Sequence, residues 1–367
     1  MIEYNFAISR SKVYEIKRIT NDYFNYRFNM SNQITYIFGA GASAKVLPVD
    51  NALTEKLEDV LKKCKSHLET STVKRYLNSL LLNHGWLLNE FEEEKSLDVI
   101  AKKYSNDETK LFNIKTLLWL YFSSKAGNHE LDSRYINLLT RISGNGNIKS
   151  SIPSNVNFLS WNYDLQMEEA YSKLKEVIFN KTPEYLYALP GIKFLRNDYL
   201  VNRSYPESFQ LIHLNGSAGY YYPIHEGDNN FWCNSNLETQ EGIEKLAIFY
   251  AQQLITNRDI IAGIRDSLSF SWENTPLVYE IKINAIKQAE KITHLVIIGY
   301  SFPDLNKHFD YELFSAMKNL KHIFIQDLNN AEKTKNKLIE RYEAFLDNVA
   351  IKIIEDCNQF HIPEFLR

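Results

Sequence analysis

The run Ile34-Thr35-Tyr36-Ile37-Phe38, β-branched and aromatic, ends abruptly in Gly39-Ala40-Gly41-Ala42-Ser43. This junction reads as a buried strand feeding a glycine turn. Further strand signals stand at Val156-Asn157-Phe158-Leu159, at Phe209-Gln210-Leu211-Ile212-His213-Leu214, at Leu295-Val296-Ile297-Ile298, at Ile323-Phe324-Ile325 and at Val349-Ala350-Ile351-Lys352-Ile353. Each is short, mostly apolar and separated from the next by helix-length sequence, as strands of a parallel sheet covered on both faces are. The expected fold class is α/β: a doubly wound, Rossmann-like parallel sheet with a large helical insertion after the first glycine turn.

The insertion is read from a change of period. Leu53, Leu57, Val60 and Leu61 repeat at helical spacing, Leu111, Ile114, Leu117 and Leu118 do so again, and Tyr135, Leu138, Leu139 and Ile142 form a third stripe closed by Gly144. The expected organisation is an N-terminal arm at 1–30 and one main domain at 31–367. That domain carries the insertion at about 50–150 and a lobe of helices and loops at about 220–290. With 44% hydrophobic side chains, 367 residues can bury one large core or two modest ones. The formal charge of −3 offers no basic field to a nucleic-acid backbone, so direct nucleic-acid binding is not expected. No apolar run reaches the roughly 18 to 20 residues that span a bilayer, and the first residues lack the apolar core of a signal peptide, so the expectation is a cytoplasmic protein without membrane contact. Cys64, Cys233 and Cys357 lie far apart, with no histidine at ligand spacing, which argues against a structural zinc or any other metal.

The polar residues gather at strand ends, where ligands of doubly wound sheets bind. The turn Gly39–Ser43 can bring backbone N–H groups to a pyrophosphate, helped by a following helix N-terminus, although a tight turn without a ligand has the same sequence. After the second strand come Ser160-Trp161-Asn162-Tyr163-Asp164, with Asn162 and Asp164 on one side of an extended backbone; they touch one ligand or, alternatively, cap a turn and the helix Leu165–Leu174. The third strand ends in His213-Leu214-Asn215-Gly216-Ser217, where His213 is either a general base or a hydrogen-bonded structural histidine. Gly299-Tyr300-Ser301-Phe302 adds a second backbone approach, with Ser301 as a hydroxyl donor, and Asp327 can accept ribose hydroxyls.

The ordered set GAGAS, WNYD, HLNGS and GYSF resembles the sirtuin-like NAD-binding family, and its bacterial antiphage-defence branch more than the protein deacylases. The resemblance covers roughly 31–47, 155–175, 207–220 and 272–363. It implies that Gly39, Ala40, Gly41 and Ser43 hold the phosphates of NAD, that Asn162 contacts the nicotinamide ribose or positions water, and that Asp164 reads the nicotinamide end. It further implies that Gly299 and Ser301 line the phosphate and ribose region and that Asp327 stands at the adenosine ribose. Two departures are visible. The deacylases carry four zinc-binding cysteines, absent here, and the family's catalytic histidine usually sits directly before the glycine, where this chain has Asn215, with His213 two positions earlier. Either His213 is the base, or Asn215 lies nearest the ribose with His213 as its support.

The activity implied is NAD+ glycohydrolase, releasing nicotinamide and ADP-ribose, with Asn162 and His213 as catalytic residues and NAD as substrate. The resemblance also implies an effector of abortive infection, controlled by homo-oligomerisation or by an ATPase or Argonaute-like partner. The alternatives are an NAD- or ADP-ribose-binding module without turnover and an NAD-dependent protein deacylase.

Overall fold

The computed structural model describes residues 32–47, 85–127 (apart from 88, 92 and 95), 131–143, 152–179, 192–195, 209–221 (apart from 219), 231–232 and 268–366. The N-terminal arm, the stripe Leu53–Leu61 and most of the lobe expected at 220–290 lie outside the described residues. The strands are β1 (Ile34–Phe38), β2 (Val156–Ser160), β3 (Ile192–Leu195), β4 (Phe209–His213), β5 (Tyr220–Tyr221), β6 (Phe231–Trp232), β7 (His294–Ile298), β8 (His322–Gln326) and β9 (Ala350–Ile354). The helices are α1 (Leu97–Lys103), α2 (Glu108–Gly127), α3 (Ser133–Ile142), α4 (Gln166–Phe179), α5 (Pro276–Ala289), α6 (Lys307–Ala316) and α7 (Ala331–Tyr342).

Seven strands form one sheet in the order β3-β4-β2-β1-β7-β8-β9, every pair parallel. Leaving out the edge strand β3, the other six stand in chain order as 3-2-1-4-5-6, the doubly wound order of dinucleotide-binding domains. The expected architecture is therefore what the chain adopts. The sheet changes direction between β1 and β7, and that is the topological switch point, where a crevice opens beyond the carboxyl ends of the strands. In register, Phe38 pairs with both Ser160 and Ile298, so three strand ends stop level at this crevice.

Both faces of the sheet are apolar because both are covered. Tyr36, Phe38, Phe158, Val296 and Ile298 face Tyr135, Leu138 and Leu139 of α3, Ala170 and Tyr171 of α4, and Phe360 and Ile362 of the C-terminal segment. Ile37, Leu159, Leu295, Ile297, Ile323 and Ile325 face Ile281 and Ala285 of α5, Phe309 and Leu313 of α6, and Leu338 and Tyr342 of α7. Alternation along β1, with Tyr36 to one layer and Ile37 to the other, is the two-residue period of a strand.

Several local expectations need correction. The glycine turn leads into a single 3-10 turn, Ala40–Ala42, and among the described residues that follow it, to Leu47, no α-helix begins. Strand β3 and the short antiparallel pair β5–β6 stand where the sequence suggested only loops and helices. The last strand lies one residue later than its apolar run, and the helix after β2 starts at Gln166.

The loops after β1 and β7 touch backbone to backbone. A Cβ placed on Gly299, at φ +60°, would lie 2.3 Å from the Ala42 nitrogen and the Gly41 carbonyl carbon, and one on Gly39 would lie 2.6 Å from the Gly299 oxygen. Gly299→Ala combines a left-handed backbone with a clash that no side-chain rotation relieves, and should cost about 2–5 kcal/mol in denaturant unfolding. Gly85 is the control, being helical and open, with nothing within 4 Å of an added Cβ; Gly85→Ala should leave stability unchanged or raise it by up to about 1 kcal/mol.

Candidate functional site

Ser43 is the point on which the polar groups of the crevice converge. Its buried hydroxyl donates to Asp164 Oδ2 at 2.9 Å. That spends its one proton, so at the 2.9 Å contact with Tyr135 the phenol is the donor. Asn162 Nδ2 approaches the same oxygen at 3.5 Å and donates to the Gly39 carbonyl at 3.0 Å. The structure thus brings together Gly39, Ser43, Asn162 and Asp164, four of the residues singled out in the sequence. The capping reading of Asp164 also holds, since Oδ1 accepts the Gln166 N–H at 3.1 Å at the start of α4. One carboxylate oxygen begins the helix while the other holds Ser43. Burial raises the Asp164 carboxyl to about 6, against the lowering effects of the Gln166 and Ser43 hydrogen bonds and of nearby His213.

The glycine turn is organised differently from the expectation. The Gly39 N–H donates to the Ile298 carbonyl at 3.0 Å, Gly41 to Gly299 at 3.0 Å, and Ser43 to Ala40 at 3.2 Å. These N–H groups stitch the turn to itself and to the loop after β7, and the missing Cβ atoms make room for that loop. Two residues not singled out from the sequence hold the turn from α3. Arg134, buried against Asp132 at 2.5 Å, donates through Nη2 to the Ala42 carbonyl at 2.7 Å, and Tyr135 supplies the Ser43 contact. Both sit at the start of a strongly amphipathic helix, where the spacing of Tyr135, Leu138 and Leu139 marks the packed face but says nothing of what a tyrosine hydroxyl or a buried arginine would reach.

His213 is 1% exposed, at the end of β4. Its Nε2 lies 2.8 Å from Glu168 Oε1 and its Nδ1 lies 3.2 Å from the Asn162 carbonyl. Both ring nitrogens face acceptors inside the protein, which places His213 beside Asn162. Glu168 is fully buried and was not singled out; neither was Glu169, whose carboxyl burial raises to about 8 with help from Asp164 and Glu168. Asn215 is 4% exposed and its Oδ1 has no hydrogen-bond partner among the described residues. Of the two residues left open by the sequence, Asn215 is the one with an unsatisfied polar atom.

Ser301 is exposed beside Phe302, a non-glycine residue at φ 52°. Asp327 spends Oδ1 on the N–H groups of Asn329 and Asn330, at 3.1 and 2.8 Å, and so forms a turn ahead of α7. Neither makes a contact with the Ser43 cluster. Between them and the cluster stands Tyr300, stacked on Trp161 at 5.8 Å, with its hydroxyl 2.8 and 3.0 Å from the two oxygens of buried Asp310 and receiving Asn306 Nδ2 at 3.0 Å. The segment Leu268–Trp272, bridged to Gly216 through Leu268, packs beside Asn215: Ser269 donates its N–H to the Asn215 carbonyl at 2.8 Å and its carbonyl accepts Tyr163 OH at 3.3 Å. A buried ion pair, Lys115 to Glu273 at 2.8 Å, joins that segment to α2. Among the described residues no group of three or more His, Cys, Asp or Glu could hold a metal ion, and no helix is long and apolar enough to cross a membrane.

No family model matches the chain, and no curated protein matches it. Similar solved structures include Sir2Tm bound to a propionylated peptide, 11% identical with a TM-score of 0.37, covering 90% of this chain and 92% of that one. Another is a Sir2 in complex with the inhibitor EX-527, 2'-O-acetyl-ADP-ribose and a deacetylated p53 peptide, 12% identical with a TM-score of 0.38, covering 91% and 93%.

The Asp310 carboxyl gives a test of the wall behind Tyr300. Burial raises it from 3.8 to about 8, so the folded state holds this proton more tightly than the unfolded chain does. Its contribution is complete below about pH 4 and is lost as pH rises to about 8, at up to about 1.4 kcal/mol per pH unit. Asp310→Asn keeps a partner for Tyr300 without the titration. Its thermal midpoint should therefore fall less than the parent's between about pH 5 and 8; parallel curves would show that Asp310 does not titrate in this range.

Proposed function

We propose that the crevice at the β1/β7 switch point binds NAD and cleaves its nicotinamide–ribose bond, giving nicotinamide and ADP-ribose. The observation that carries this reading is the convergence of Asn162 and Asp164 on Ser43 at the carboxyl ends of β1 and β2. The strand order adds support, since a doubly wound sheet takes its ligand at this place. So does Asn215, whose buried amide oxygen has no partner among the described residues and is an acceptor that a carboxamide N–H or a ribose hydroxyl would satisfy.

In the reaction the bond between the anomeric carbon and the pyridinium nitrogen breaks, and its electron pair stays on nitrogen. Nicotinamide leaves neutral, so no acid is required. Water adds to the oxocarbenium-like carbon and gives up one proton. Asn162, held by the Gly39 carbonyl, fixes the water or a ribose hydroxyl through proximity and a preset dipole. Asp164 is a carboxylate above about pH 6 and is the group suited to take the proton. Gly39, Ala40, Gly41, Gly299 and Ser301 border the phosphate end in this reading, and Asp327 stands towards the adenosine. The wider role, an antiphage effector switched on by oligomerisation or by an ATPase or Argonaute-like partner, follows from the resemblance in sequence.

One observation favours a second reading, an NAD- or ADP-ribose-binding module without turnover: His213 is engaged at both nitrogens, and an amide that cannot take a proton occupies position 215. A nicotinamide-release assay with and without candidate partner proteins, beside calorimetry with NAD, separates the two. For the hydrolase, Asn162→Ala should lower release at least about 100-fold while the protein stays folded, and turnover retained in the folded variant would sink the assignment. The pH dependence of kcat/KM should show an acid limb near 6, rising as Asp164 ionises, and that limb should vanish in Asp164→Asn.

A further inference from the structure

We propose that Glu168 and His213 are a positioning pair whose task is to fix Asn162, an inference that rests on the reading of Asn162 as a site residue. Glu168 comes from the first turn of α4 and His213 from the end of β4, and the two meet at 2.8 Å with side chains 0% and 2% exposed. A buried ionisable pair is costly to desolvate and is commonly replaceable by apolar residues without loss of stability, so packing alone gives little reason for it. What the pair supplies is direction. Two acceptors face the ring, so Nδ1 carries the proton that it donates to the Asn162 carbonyl at 3.2 Å, a second proton is shared between Nε2 and the Glu168 carboxyl, and the imidazole plane is set.

Asn162 is then restrained at three atoms. Its N–H donates to Ser160 Oγ at 3.1 Å, its carbonyl faces His213, and its amide nitrogen donates to the Gly39 carbonyl at 3.0 Å. Of these three hydrogen-bond partners, His213 is the one outside the strand ends of β1 and β2, and it meets the Asn162 backbone carbonyl. It ties the reactive loop to α4, whose start is capped by Asp164, so the two polar side chains of the loop are held in one frame. Glu168 and His213 act through Asn162 and need no contact with a ligand.

The test uses the whole chain, with steady-state nicotinamide release measured over a range of NAD concentrations and crystal structures of the variants. Glu168→Ala should lower kcat at least about 10-fold with KM changed less than about threefold, and should free the His213 ring and displace the Asn162 amide from Gly39. Glu168→Gln, whose amide N–H can donate to Nε2 of a neutral ring that keeps its proton on Nδ1 for Asn162, should recover most of the rate and the geometry. Unchanged kcat in Glu168→Ala, or an unmoved Asn162 with no rescue by Glu168→Gln, overturns the proposal. Should Glu168→Ala fail to fold, the double variant Glu168→Leu with His213→Leu, which leaves no buried charge uncompensated, replaces it: a lowered kcat with a displaced Asn162 supports the pair, and an unchanged kcat or an unmoved Asn162 overturns it. If the parent releases no nicotinamide under any condition, the cleavage reading falls, and the position of Asn162 in the variant crystal structures alone decides the pair.

Discussion

The contact between the loops after β1 and β7 sets the geometry of everything around the crevice. At the switch point of a doubly wound sheet two neighbouring strands send their chains to opposite faces, and the loops separate. Here they first come together. Gly41 donates to Gly299, Gly299 donates to Gln326, and the Cβ volume absent from Gly39, Gly41 and Gly299 is filled by the opposing backbone. The glycines therefore serve a seam between two loops. Because Gly39 is pinned there, its carbonyl is a fixed acceptor for Asn162, and because Ser43 follows in the same 3-10 turn, its hydroxyl is delivered to Asp164.

Around that seam the protein buries more carboxyl groups than it pairs with cations. Asp164, Glu168 and Glu169 crowd the start of α4, and burial pushes the carboxyls of Asp164 and Glu169 up to about 6 and about 8. On the far side of the seam, Asp310 is pushed to about 8 under Tyr300. Such groups lower stability as they ionise, and a fold selected for stability alone would shed them. Their distribution is not uniform. Asp310 and Glu169 stay largely protonated at neutral pH, whereas Asp164, partly exposed and hydrogen-bonded by Ser43 and Gln166, is the one whose charge changes just below it. The two loops thus differ in character: a neutral wall behind Tyr300, and a titrating edge at Asp164.

The sheet was legible in the sequence because each of its central strands is a short apolar run with the period of a strand covered on both faces. Ile34–Phe38 and His294–Ile298 stand close to their expected limits. The polar cluster was legible as a set of strand-end residues, since level strand ends bring such residues together whatever their partners. What the sequence hid were contacts made across elements. Tyr135 and Arg134 look like members of an amphipathic stripe, and their hydrogen bonds to Ser43 and Ala42 depend on how α3 crosses the sheet. Glu168 reads as a solvated helix residue of the sequence Gln166-Met167-Glu168-Glu169; only the arrival of His213 from β4 makes it a buried partner. Closely spaced glycines report that something must come close, and within the described structure another stretch of the same backbone does so.

The same distinction bears on His213 and Asn215, two residues on one strand end with opposite fates. The imidazole meets an acceptor at each nitrogen, the Glu168 carboxyl and the Asn162 carbonyl. An amide with an unsatisfied buried oxygen carries an uncompensated desolvation cost of about 1–3 kcal/mol, which a donor arriving from outside would recover. Position 215 is thus prepared for a hydrogen bond and not for a proton. If bond cleavage proceeds in this crevice, proton transfer falls to a carboxylate, and among the described residues the one that combines a contact to Ser43, partial exposure and a pKa near neutrality is Asp164. Asn162 and Asp164 both reach one serine, and the histidine meets the Asn162 carbonyl from the other side.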